Sequence, residues 1–154
     1  QKTTWLTEDL GFDAAINYKT TDDYRTALDE VVPEGVDVYF DNVGGPITDA
    51  VFTKLNLDAR VAVCGQIAHY NDEDVPMGPR KLPMLIAPRA RVQGLLVSDY
   101  ATRFEKATER LGKWVGSGDL KHRETVVEGL ENAPGAFLGL FSGDNIGKQV
   151  VRVS

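Results

Sequence analysis

Short runs of β-branched and aromatic residues alternate along this chain with segments whose apolar positions recur at helical spacing. Two of the runs carry the most information. Residues 36–40 (VDVYF) and 60–64 (RVAVC) each stop abruptly, the first at Asp41-Asn42-Val43-Gly44-Gly45 and the second at Gly65-Gln66. A parallel strand whose carboxyl end opens onto a ligand crevice has this form. Between them Gly44-Gly45-Pro46-Ile47 starts a helix, with the proline in its first turn, that continues through Val51, Phe52 and Leu55.

The remaining pattern extends this alternation. Residues 2–10 have helical spacing, with Trp5, Leu6 and Leu10 on one side and Gly11 as a stop. A compact strand is predicted at 14–18. Thr21-Asp22-Asp23 then supplies a cap and an acidic first turn for a helix ending before Pro33. Residues 68–77 are polar and acidic and read as a surface loop, and 81–87 as a short helix despite Pro83. A strand at 91–97 is weakened or bulged at Gly94. The helix at 100–115 aligns Phe104, Ala107, Leu111 and Val115 on one stripe and ends at Gly116-Ser117-Gly118. A strand at 122–127, a helix at 130–141 and a strand at 147–153 complete the pattern. The fold class is α/β, with a right-handed, mostly parallel, doubly wound arrangement to about Val115 and a tail that need not join that sheet.

Composition narrows the chemistry. A net charge of −6 over 154 residues, with no basic stripe, argues against affinity for nucleic acid or an anionic membrane. One cysteine, Cys64, excludes an internal disulfide framework, and with only His69 and His122 beside it no Cys/His zinc cluster is expected. A reducing, cytoplasmic setting fits this usage. No run of about 18 apolar residues is present. No glycine-rich phosphate loop accompanies the strand ends, and the chain opens at Gln1, so the expectation is a piece of a cofactor-binding enzyme without its front end.

Five stretches, 5–19, 37–45, 62–70, 113–115 and 143–148, resemble in order the zinc-independent medium-chain dehydrogenase/reductases that include the prostaglandin, curcumin and alkenal double-bond reductases. The resemblance implies a partial NADP-binding Rossmann domain over 1–120 that lacks its first βα unit. It implies that 121–154 returns to a substrate-binding domain of GroES-like type. Loss of the first strand, which stands at the sheet centre in that family, is expected to leave apolar surface uncovered.

The resemblance also implies site residues, each with a plainer structural alternative. Lys2 resembles the lysine that pairs with the 2′-phosphate of NADPH, where otherwise it is a solvated charge; Tyr18 is either its companion on that phosphate or an interfacial strand tyrosine. Asn42 is placed to hydrogen-bond the ribose or nicotinamide, or else serves as a turn residue before the paired glycines. Cys64, Gly65, Gln66, Ile67, Ala68 and His69 resemble the segment that wraps the nicotinamide ribose, with Gly65 permitting close backbone approach. Cys64 itself is expected to be a small buried residue and not a nucleophile, and His69 a surface histidine. Leu95, Leu96 and Val97 resemble the strand that meets the carboxamide through its backbone, and Asn145 an asparagine near the pyrophosphate or nicotinamide. Tyr70 is the candidate catalytic residue, its phenol able to hydrogen-bond an enolate oxygen or help deliver a proton.

The activity so implied is NADPH-dependent reduction of the C=C bond of α,β-unsaturated ketones and aldehydes, without a metal, by a homodimer paired through the 91–97 edge strand. The 154 residues alone are expected to be inactive. A quinone reductase of the same superfamily and a non-catalytic interaction module are the rival readings.

Overall fold

Strands β1 (Val36–Asp41) and β2 (Leu55–Val63) lie side by side in parallel, and β3 (Arg91–Gly94) pairs on the far side of β2, giving the sheet order β1-β2-β3. These come from a computed structural model that describes residues 1–153. Tyr39 stands opposite Val61, Phe40 opposite Ala62 and Asp41 opposite Val63, while Arg60 to Val63 face Arg91 to Gly94 in unbroken register. The one irregularity lies between Val36 and Val38, where Asp58 of β2 has a left-handed φ of 61°. Gly94 ends its strand and does not bulge it: Leu95 adds a single bond to the Val63 carbonyl at 2.8 Å, and Leu96 and Val97 leave the sheet for a helical turn. The strand expected at 91–97 is therefore four residues long.

Alternation along β1 and β2 assigns the two faces of this sheet. Tyr39, Asp41 and Val61 point toward α3 (Gly45–Val51), and the Tyr39 hydroxyl lies 3.1 Å from that of Thr48. Val38 and Phe40 point the other way and remain 61% and 56% exposed. Only Val51, Ala59 and Val61 are buried apolar residues among those described. The pattern of a strand buried on both faces is thus met on one face alone, and a shallow depression of about 450 Å³ over Val38, Arg60, Ala62 and Gln93 marks the open side.

Helix α2 (Tyr24–Val31) starts where the sequence places it. Asp23 caps it, accepting from the backbone N–H groups of Arg25 and Thr26 at 3.0 and 3.2 Å, and from the Thr26 hydroxyl at 2.7 Å. These bonds, the Thr26 hydroxyl first, hold the Asp23 carboxyl below the usual carboxylate range. The strand expected at 14–18 is absent. Among the described residues no strand pairs with this segment, and a lone strand leaves its N–H and C=O groups without partners. Asn17 organises a turn instead, its side chain accepting from Lys19 N–H and its carbonyl from Thr20 N–H, both at 3.1 Å.

Residues 6–101 form one compact unit, and residues 1–5 with those from 102 onward form another. In the latter, α4 (Phe104–Ser117) ends at Gly118, whose φ of 79° suits glycine. Strands β4 (Glu124–Glu128) and β5 (Lys148–Arg152) make a separate parallel pair joined by α5 (Ala133–Ser142), so the tail has its own sheet. The chain begins with α1 (Lys2–Thr4), which widens into a π turn at Trp5–Asp9. The Trp5 ring carries the Arg123 guanidinium 5.4 Å from its centroid.

Candidate functional site

The carboxyl ends of β1 and β2 are stitched together by backbone. Cys64 and Gly65 N–H both donate to the Asp41 carbonyl, at 2.8 and 3.2 Å; Ile67 N–H reaches the Asn42 carbonyl at 3.5 Å and Ala68 N–H that of Val43 at 2.9 Å. Asn42 and residues 64–70 therefore emerge together. The turn ends in a short helical segment, Ile67–His69, closed by Tyr70 N–H on the Ile67 carbonyl at 3.4 Å.

Two glycines shape this crevice. A Cβ on Gly65 would stand 2.8 Å from Asn42 Oδ1 and 3.3 Å from the Tyr70 hydroxyl, so any side chain there would push the Asn42 amide aside. Gly44 combines φ 75° with ψ −162°, a conformation reserved to glycine, and the Gln66 amide fills the space a Cβ would need.

Beneath the turn lies Asp41, with no exposed surface. Its Oδ1 accepts from Gly44 N–H at 2.9 Å, Val43 N–H at 3.1 Å and the Tyr39 hydroxyl at 3.1 Å; its Oδ2 accepts from the Thr48 hydroxyl at 2.8 Å and Gln66 Nε2 at 3.1 Å. Desolvation is the largest single influence and pushes the carboxyl up, but the hydrogen bonds, Gly44 N–H foremost, together outweigh it and hold the group below its ordinary value of 3.8. Tyr39 is pushed up to about 12, first by burial and then by the Asp41 charge, against an opposing bond with Thr48. Sequence reasoning did not single out Asp41 or Gln66 as partners. The available signal was a carboxylate at a strand end two residues before Val43 and three before Gly44, the spacing of an Asx turn.

The other candidates divide by unit. Tyr70 is 67% exposed, with its hydroxyl accepting from Gln66 N–H at 3.4 Å. Ile67 and Ala68 are exposed. Half-buried His69 pairs through Nδ1 with Asp72 Oδ2 at 2.9 Å. Cys64 is exposed and not buried as expected, because β2 ends at Val63 and the next residue has left the sheet. Leu95 is half-buried while Leu96 and Val97 are exposed. Tyr18 is exposed, in the turn that replaces the expected strand, and its carbonyl accepts from the Tyr24 hydroxyl at 3.1 Å. In the other unit, Lys2 Nζ donates to the Gly143 carbonyl at the end of α5 at 2.6 Å, and Asn145 Nδ2 to the Gly147 carbonyl at 2.7 Å. A cavity of about 580 Å³ adjoins the crevice, lined by Gly45, Thr48, Asp49, Gln66, His69 and Met77 among others.

A family model described as zinc-binding dehydrogenase matches residues 10–151. The chain belongs to that family. YfmJ of Bacillus subtilis (strain 168) is 52% identical over 156 residues, and the NADP-dependent 2-alkenal reductase of Nicotiana tabacum 46% over 154; both alignments take in 100% of this chain but only 46% and 45% of the relative. The chain thus spans about half the length of the curated relatives it matches. The crystal structure of CurA from Vibrio vulnificus in complex with NADPH is similar at a TM-score of 0.88 and 38% identity, over 99% of this chain and 47% of that one. The chain has the Rossmann-like α/β fold of the nucleotide-binding part of such proteins. Among the described residues no three of His, Cys, Asp and Glu are grouped to hold a metal ion. No helix among them is long and apolar enough to cross a membrane.

Proposed function

We propose that this chain supplies the nicotinamide-binding half of an NADPH-dependent reductase that saturates the C=C bond of α,β-unsaturated ketones and aldehydes. The observation that carries the proposal is the pair of parallel strand ends at Asn42 and Gly65, so closely set that a Cβ at 65 would press on the Asn42 amide and touch the Tyr70 hydroxyl. The reductase names of relatives support it.

In this reading Asn42 offers its amide to the ribose or nicotinamide, and residues 64–69 bring backbone against the same group. NADPH, when bound, supplies the hydride. As the β-carbon of the enone accepts that hydride, the double-bond electrons shift toward the carbonyl oxygen, and the Tyr70 phenol donates a hydrogen bond to the developing enolate. A proton from solvent water, which leaves as hydroxide, adds at the α-carbon and completes the saturated product. Tyr18 serves the 2′-phosphate and Leu95 to Val97 the carboxamide. Residues 1–120 act as the nucleotide-binding portion and 121–154 return to the substrate domain; the separate β4–β5 sheet supports a distinct tail, while the compact units divide before α4. Two copies pair through the edge strand that begins at Arg91, in a cytoplasmic setting.

The test is a chimera in which this chain replaces the matched segment of the tobacco 2-alkenal reductase, assayed for NADPH oxidation with an enone and with a quinone. Enone turnover is expected; turnover of the quinone alone, or of neither, overturns the reading. The 154 residues alone bind NADPH weakly, since they carry no glycine-rich phosphate loop. A dissociation constant in the micromolar range by calorimetry contradicts this.

A further inference from the structure

We propose that Asp41 is a positioning residue that fixes the Tyr70 phenol through Gln66, an inference that rests on the role given to Tyr70 above. Four of the five donors on the Asp41 carboxylate come from β1, the turn that follows it and α3, and they hold it close to its own strand end. The fifth, Gln66 Nε2, comes from the turn after β2. The same Nε2 also donates to the Gly65 carbonyl at 3.0 Å, so both of its hydrogens are committed. The same residue's backbone N–H is the one that donates to the Tyr70 hydroxyl.

Tyr70 has little else to orient it. With two-thirds of its surface exposed, its ring lacks the packing that locks a buried aromatic. Placement of its oxygen therefore depends on where residue 66 stands, and residue 66 is held by the backbone bonds on either side of it together with the charged, buried acceptor on its amide. Hydrogen bonds to an ionised acceptor are about twice as strong as neutral ones, which suits a carboxylate to this task better than an amide. Asp41 takes no part in proton transfer. It lies under Gln66, away from the crevice mouth, with every strong acceptor direction occupied.

The experiment labels all five tyrosines of the 154-residue chain with fluorotyrosine and assigns the Tyr70 fluorine resonance by its loss in Tyr70→Phe. Gln66→Met keeps the bulk at 66 and removes the amide; Asp41→Asn keeps the shape and removes the charge. Both variants are expected to move the Tyr70 resonance toward the position of a free fluorotyrosine peptide while Tyr18, Tyr24 and Tyr100 stay in place. Tyr39, a direct partner of Asp41, should move only in Asp41→Asn. In the chimera, Gln66→Met is expected to lower kcat for the enone about tenfold with the KM for NADPH little changed, and to cost nothing further once Tyr70 is phenylalanine.

A Tyr70 resonance unmoved in Gln66→Met, one already at the free position in the unaltered chain, or losses that multiply in the double variant would overturn the proposal. Where Asp41→Asn unfolds the chain, Gln66→Met decides. A chimera inactive toward enones defeats the proposed function, while the fluorine spectra still report whether Asp41 places the phenol.

Discussion

The Gln66 amide donates to the Asp41 carboxylate across 25 residues of sequence, joining the end of β2 to the end of β1 through side chains at the point where the backbones also meet. The contact links a crevice to a core. Loss of the carboxylate charge loosens the turn that carries the candidate site, so stability and site geometry respond to the same group.

Acid titration should show this. The Asp41 carboxyl is held below 3.8 in the folded chain, so the unfolded chain takes up a proton first as the pH falls. The stabilisation is present above 3.8 and disappears as the pH passes down through the folded value. Urea midpoints followed from neutral pH into this range should fall more steeply for the unaltered chain than for Asp41→Asn.

Tyr39 predicts the alkaline side. Its folded value of about 12 exceeds the ordinary 10.0, so the stability its neutral form contributes is intact below 10.0 and is lost as the pH rises toward 12. Ultraviolet titration should show one tyrosine ionising late or together with unfolding, and Tyr39→Phe should remove that step.

Gly44→Ala should cost about 1 to 3 kcal/mol, because alanine cannot adopt the backbone conformation found there without strain and its methyl displaces the Gln66 amide. Thermal denaturation measures the loss, and an unchanged midpoint would contradict the geometry.

Val61→Ala probes the thin core. Val61 is 2% exposed and is one of only three buried apolar side chains among the described residues, so deleting two methyl groups should cost about 1 to 3 kcal/mol. The same substitution at Val38, 61% exposed, should cost well under 1 kcal/mol. Chemical denaturation of the two variants side by side gives the comparison.

Tyr70→Phe in the chimera should lower kcat for an enone by about 10- to 100-fold with little change in the affinity for NADPH, as expected for a donor that matters when the enolate forms. Steady-state kinetics separates the two parameters, and an equal rise in the KM for NADPH would place Tyr70 at the cofactor instead.

Local pattern was sufficient where structure follows from neighbours in sequence. Asp23 capped its helix, Gly118 ended another, and the runs at 36–40 and 60–64 became adjacent parallel strands. The juxtaposition of Asn42 with residues 64–70 was legible too, because parallel strands must present their ends on one side. Local pattern failed where a partner was needed. Residues 14–18 have strand composition but nothing beside them to pair with, and Leu96 and Val97 continue an apolar run past the last residue that β2 can hold.

The amino-acid sequence by itself determined the order of elements, the family and the crevice between two strand ends, since these depend on spacing and on residues a few positions apart. Only the tertiary structure decided that Asp41 is buried and five times hydrogen-bonded, that Gln66 reaches it, that Cys64 is exposed, and that one face of the sheet stays open. Burial and pairing are properties of what the fold brings near, and a carboxylate buried without that company would cost several kcal/mol in desolvation.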